Sequence, residues 1–202
     1  KSKKKARSSR GDDEQARTAR PKNGLSVAVL ESAVLSKNYD AVRRWCRQGD
    51  VNAHCADKTI LTPLFFACMH GEITLARLLI KDYAADVCQT SHNGTSALYL
   101  ACREGHADVA TLLLQNGADV TQATNEGASP LYIASQEGRV AVARLLLEQR
   151  ADVEQTASDG TSPLCVATYR GHLDVVRLLL ENGAPVNHAD NVGDTPLLNA
   201  CQ

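Results

Sequence analysis

Seven cysteines and six histidines stand in this chain, enough in principle for a zinc site or for a thiolate activated by an imidazole. Metal binding would need about four such ligands to converge at short spacing. Cys55, Cys68 and His70 come nearest, and they lack that spacing. Cys68, Cys102 and Cys201 instead recur at a near-constant interval, in a slot that holds Ser135 and Thr168 elsewhere. A cysteine in such a small-residue slot acts as a small hydrophobe. His106 and His172 share another slot, each directly after a glycine. The serines and aspartates recur in the same way, and no glycine-rich phosphate loop is present. Groups spread evenly along a chain do not assemble one reaction centre. The expectation is therefore no metal, no cofactor and no catalytic residue.

The recurrence points to the elements that carry these residues. "GTSALYLACREGHADVATLLLQNGADV" begins at Gly94, "GASPLYIASQEGRVAVARLLLEQRADV" at Gly127, "GTSPLCVATYRGHLDVVRLLLENGAPV" at Gly160 and "GDTPLLNACQ" at Gly193, a period of 33 residues. An earlier copy starts at Leu61 and has one extra residue near Tyr83 and Ala84. In the Gly94 copy Ser96 stands where a helix cap is needed, and in other copies Pro63, Pro130, Pro163 and Pro196 fill the position after that slot, which predicts a capped helix start. Leu98, Ala101 and Cys102 then give one apolar face, and Gly105 ends that short helix. A second helix presents Val109, Leu112 and Leu113 and stops at Gly117. Val120 to Gly127 reads as an extended turn. Two short helices cannot bury their apolar faces alone, so the copies must stack into a solenoid.

This pattern resembles the ankyrin repeat, with its 33-residue period and G-x-T-P-L-H-x-A-A opening. The resemblance covers about residues 25–202 and implies an all-α solenoid of helix-turn-helix units with extended β-turn loops. The copies span about 25–57, 58–90, 91–123, 124–156 and 157–189, with a partial one at 190–202. Leu25 to Asn52 reads as a degenerate first copy, in which Trp45 and Cys46 replace leucines. The slot of the family's histidine holds Phe65, Tyr99, Tyr132, Cys165 and Leu198, so apolar or phenolic packing is expected in place of its cross-repeat hydrogen bond. The family likeness places partner contacts at the ends of the first helices: Met69 and His70, Arg103 and Glu104, Gln136 and Glu137, Tyr169 and Arg170. It also places them on the turns: His92 and Asn93, Asn125 and Glu126, Ser158 and Asp159, Asn191 and Val192. These slots vary between copies while their neighbours hardly do, as expected where packing does not dictate the residue. Asn52 and Asn187 occupy the slot where ankyrin repeats resemble substrates of asparagine hydroxylases.

Composition bounds the rest. Residues 1–24 carry nine Lys or Arg against three acids, while the remainder carries thirteen against twenty, so a basic tail precedes an acidic body. The tail is nearly free of apolar residues and is expected to be disordered. "KKKAR" at Lys3–Arg7 matches a nuclear-import pattern, although a solvated linker is the plainer reading. Ser8 and Ser9 follow basic residues, as basophilic kinases prefer. The tail offers weak, salt-dependent nucleic-acid binding at most, and the acidic body disfavours nucleic acid in the groove. An odd cysteine count without a CxxC pair or a secretory signal, and no membrane-length apolar run, predict an intracellular, cytoplasmic chain with a nuclear option. The chain begins at Lys1 and stops half-way through a copy, so it reads as part of a longer protein. The function expected is a non-enzymatic scaffold or adaptor that binds another protein through its concave groove. The alternative is a regulatory or targeting arm of a larger enzyme or channel.

Overall fold

A computed structural model describes residues 27–48, 51–52 and 62–201. The basic tail with Lys3–Arg7, Ser8 and Ser9, and Cys55, lie outside the described residues. The helices come in pairs. They are α1 (Val27–Leu35) and α2 (Tyr39–Gln48), α3 (Pro63–Met69) and α4 (Ile73–Asp82), and α5 (Ala97–Glu104) and α6 (Ala107–Gln115). Then follow α7 (Pro130–Gln136) and α8 (Val140–Glu148), α9 (Pro163–Tyr169) and α10 (Leu173–Glu181), and the single α11 (Pro196–Ala200). The first helices form one layer, α3 on α5 on α7 on α9 on α11, and the second helices α4, α6, α8 and α10 form another beside it. Among the described residues the only β pairing is the isolated bridge Thr90–Ser96.

Each first helix starts as its sequence dictates. Thr62, Ser96, Ser129, Ser162 and Thr195 hold extended backbone, and each side-chain oxygen accepts from the amide three residues on. A cap of this kind contributes about 1 kcal/mol. The shared core lies between the layers. Leu64, Leu98, Leu131 and Leu164 fill one slot; Ala67, Ala101, Ala134 and Ala167 fill a second; Leu79, Leu113, Leu146 and Leu179 fill a third. All are buried, and truncating such a leucine costs about 2–5 kcal/mol. The degenerate first copy joins this core through Val34, Val42, Trp45 and Cys46.

The cysteine slot is packed as expected at Cys68 and Cys102, both fully buried. Ser135 satisfies its hydroxyl on the Leu131 carbonyl at 2.7 Å, and Thr168 does so on Leu164 at 2.8 Å. Cys201 departs from its slot-mates: it is exposed, because no described element packs over α11 on that side. The extra residue of the second copy is absorbed by lengthening α4 to ten residues, where α6, α8 and α10 have nine.

Adjacent copies are also joined by polar contacts at the start of each second helix. The slot after the inter-helix glycine holds Glu72, His106, Arg139 and His172. His106 Nε2 lies 3.3 Å from the Met69 carbonyl, Arg139 Nε donates to Arg103 at 3.0 Å, and His172 Nε2 lies 3.0 Å from Gln136. Glu72 makes its joint through its carboxylate, which accepts from Tyr39 Oη at 2.8 Å and pairs with Lys37. The His172 ring lies over Gly138, where an added Cβ would come within 2.7 Å of Nδ1. Only glycine admits the ring there.

Candidate binding groove

Two rows of residues line one side of the stack: the C-terminal ends of the first helices and the tips of the turns. The tips are built alike. Ser91, Thr124, Ala157 and Asp190 each donate a backbone N–H to the carbonyl four residues on, closing a tight loop. Successive tips are then stitched together, with Asn125 N to Asn93 O at 2.8 Å, Ser158 N to Glu126 O at 2.8 Å and Asn191 N to Asp159 O at 2.9 Å. This ladder holds the tips in fixed register along the array.

His92, Asn93, Asn125, Glu126, Ser158, Asp159, Asn191 and Val192 are all exposed. Several also have structural duties. The Asn125 carboxamide donates to His92 O at 2.8 Å and that of Asn191 to Ser158 O at 3.2 Å. Asp159 accepts from the Thr161 amide at 2.9 Å. Variation between copies signals exposure here, but it does not separate a side chain that ties two tips together from one left for a partner. Glu126 and Val192 carry no such side-chain tie among the described residues.

The helix-end pairs engage each other side by side. Arg103 Nε meets Glu104 Oε1 at 2.8 Å, Gln136 Nε2 donates to Glu137 Oε1 at 2.9 Å, and the Arg170 guanidinium lies 5.9 Å from the Tyr169 ring centroid. Tyr169 is 64% exposed, the most open aromatic among the large exposed hydrophobics. Met69 and His70 are half-buried, and the His70 ring stacks on Phe66 with its Nε2 buried and unpartnered.

The groove floor adds two residues of the packing slot. Phe65 and Cys165 are buried, but Tyr99 and Tyr132, in the same slot, are half-buried. Burial pushes both phenols up from their usual pKa; Glu126 and Glu137 add to this at Tyr99 against Arg103, and Asp159 leads the charges acting at Tyr132. A cleft of about 260 Å³ opens beside Tyr132, walled also by Gln136, Tyr169, Arg170, Asp190 and Asp194. The signal for the two tyrosines was already present, since their slot also varies from copy to copy.

Of the two asparagines singled out for modification, Asn52 is half-buried and its Oδ1 accepts from the Asp86 amide at 2.9 Å, whereas Asn187 is exposed. No group of three or more His, Cys, Asp or Glu among the described residues could hold a metal ion. None of the described helices is long and apolar enough to cross a membrane.

Paired helices, a 33-residue period, hydroxyl caps and stitched tips together define the architecture, and the family model for ankyrin repeats in three copies matches residues 30–124, 85–157 and 150–202. The chain belongs to the ankyrin-repeat family. Protein phosphatase 1 regulatory subunit 27 of Mus musculus is 32% identical to it over 80 residues, 40% of this chain and 51% of that protein. The Homo sapiens protein of the same name is 30% identical over the same extent. The chain spans about half the length of these curated relatives. Within the ankyrin array, the leucine and alanine slots that hold their residue type lie in the core, and the varied slots of the tips and helix ends are exposed or half-buried.

Proposed function

We propose that this ankyrin-repeat array is a protein-binding scaffold or adaptor, and that its partner lies along the concave strip formed by the helix ends and turn tips. The observation that carries the reading is the contrast between slots. Leucine or alanine recurs at the buried slots of Leu98, Ala101 and Leu113, while the helix-end and tip slots from Arg103 to Val192 mix charged, amide, aromatic and apolar residues along the array. A rigid array that exposes varied side chains in fixed register is suited to recognition of another macromolecule. Tyr169 and Arg170 are its best candidate hot spot, since Tyr and Arg dominate binding energy in interfaces.

The test is calorimetry with a partner obtained by pull-down. Tyr169→Ala with Arg170→Ala should weaken binding by roughly 2 kcal/mol or more, with helicity and melting nearly unchanged. Binding as tight as the parent's would remove this end of the strip from the contact surface.

A second reading makes the array the regulatory arm of a larger assembly. It is favoured by the 80-residue likeness to proteins whose name describes a phosphatase regulatory subunit. Mixing the chain with the catalytic subunit of protein phosphatase 1 tests that branch. No complex by gel filtration would remove it and leave the scaffold reading in place.

A further inference from the structure

The strip is strongly biased in charge. Glu126, Glu137, Asp159, Asp190 and Asp194 lie along it, and none of them has a cationic nitrogen within 4 Å among the described residues. Its cations are Arg103, already held by Glu104 at 2.8 Å, and Arg170, which lies over Tyr169. The bias coincides with the aromatic floor. In the cleft, Tyr132 forms a wall together with Arg170, Asp190 and Asp194. One period earlier the repeat places Tyr99 in the slot of Tyr132, Glu126 in that of Asp159, and Glu137 in that of Arg170. The same half-buried ring therefore has Glu137 on the helix side in place of the guanidinium, and the charge of the tip residue Glu126 acts on it as well. Arg103, whose charge acts on Tyr99 ahead of either carboxylate, is tied to Glu104 at 2.8 Å.

A half-buried aromatic face bordered by two unpaired carboxylates is matched by one ligand chemistry: a cationic head on an apolar stem. Lysine and arginine both have it, and arginine also stacks flat on a ring. An anionic or phosphorylated segment would meet repulsion from five carboxylates for one available guanidinium.

We propose that the groove receives an extended basic segment of a partner, with a Lys or Arg head seated on Tyr99 between Glu126 and Glu137 and neighbouring residues running past Tyr132 into the cleft. The inference rests on the groove being the binding surface and names the chemistry of its occupant. The carboxylates draw the segment in, the two rings bury its stems, and the fixed spacing of the tips sets its register.

The probe is a fluorescein-labelled peptide of alternating Arg and Leu, measured by fluorescence anisotropy against the whole chain, beside a charge-reversed peptide of alternating Glu and Leu. The basic peptide should bind and the acidic one should not. Glu126→Gln with Glu137→Gln should weaken the basic peptide about fivefold or more. Glu148→Gln with Glu181→Gln removes the same charge from two exposed positions on second helices and should change affinity less than about twofold, on the scale of weak surface electrostatics. Tyr99→Leu, which keeps apolar bulk and removes the ring face, should match the first pair. Equal losses from both carboxylate pairs would mean unspecific attraction and overturn the proposal, as would tighter binding of the acidic peptide. If a natural partner is displaced by Tyr169→Ala with Arg170→Ala but ignores Glu126→Gln with Glu137→Gln, the groove reading stands and the basic occupant falls. If neither pair affects that partner, both fall.

Discussion

Arg150 sits where the chain calls for glycine. The slot after α4, α6, α8 and α10 holds Ala84, Gly117, Arg150 and Gly183, with φ of 51°, 92°, 64° and 85°. The backbone around Arg150 is the same as around Gly117: Arg150 N donates to Leu147 O at 2.9 Å and Ala151 N to Leu146 O at 2.9 Å, as Gly117 and Ala118 do to Leu114 and Leu113. A left-handed residue with a Cβ costs about 1–2 kcal/mol. Glycine returns about 0.4–1 kcal/mol of this through the greater freedom of its unfolded chain. Arg150 is exposed and joins no ion pair among the described residues, so nothing offsets the strain. Arg150→Gly should therefore stabilise the array by about 0.5–1 kcal/mol, raising the melting midpoint by about 1–4 °C for a domain of this size. Far-ultraviolet circular dichroism during heating and in urea measures both, and the urea series guards against a melt in separate segments. Gly117→Ala is the mirror experiment. A Cβ there meets nothing within 4 Å, so the loss of about 1 kcal/mol comes from the backbone alone. An unchanged or lower midpoint for Arg150→Gly would refute the strain argument.

Further outcomes follow from the packing. Val175 is fully buried, so Val175→Ala should lower stability by about 1–3 kcal/mol in chemical denaturation, while partner affinity at the groove persists under folding conditions. His172→Ala removes the contact to the Gln136 carbonyl and should cost about 1 kcal/mol, and Gly138→Ala should cost more, because it adds strain at a φ of 66° to a clash with the ring. Burial pushes the Cys46 thiol up to about 11 and those of Cys68 and Cys102 higher still, so alkylation of the native chain at about pH 8 should mark Cys88 and Cys201 and leave these three intact. The same shifts set a pH dependence. Unfolded thiols ionise near pH 8.5 while the buried ones stay neutral, so stability is fully present below that pH and should fall as pH rises above it.

Much of the fold was legible because each local signal had one physical solution. Hydroxyl plus proline can only start a helix here, and Thr62, Ser129, Ser162 and Thr195 do so. The leucine runs report the core because a 33-residue period places them in one slot. The site was less legible. A histidine after a glycine reads as a helix opening, and nothing local reveals that its acceptor is a carbonyl 36 residues back for His172 and 37 for His106. Variation at Asn125 and Asn191 suggested partner contact, yet their carboxamides bind the preceding tip, an interaction that exists only once the copies stack. The half-exposure of Tyr99 and Tyr132 is not legible locally, because how far a ring is covered depends on what the next copy packs against it. Cys201 shared a buried slot by alignment, but burial needs a neighbouring element as well as a position.

Hydrogen exchange of the chain with and without its bound partner tests the central claim most directly. The account predicts slowed exchange at the helix ends around Arg103, Gln136 and Tyr169 and at the tips 125–126, 158–159 and 191–192, with α6, α8 and α10 unchanged. Protection confined to those second helices, with the tips exchanging as in the free chain, would contradict it.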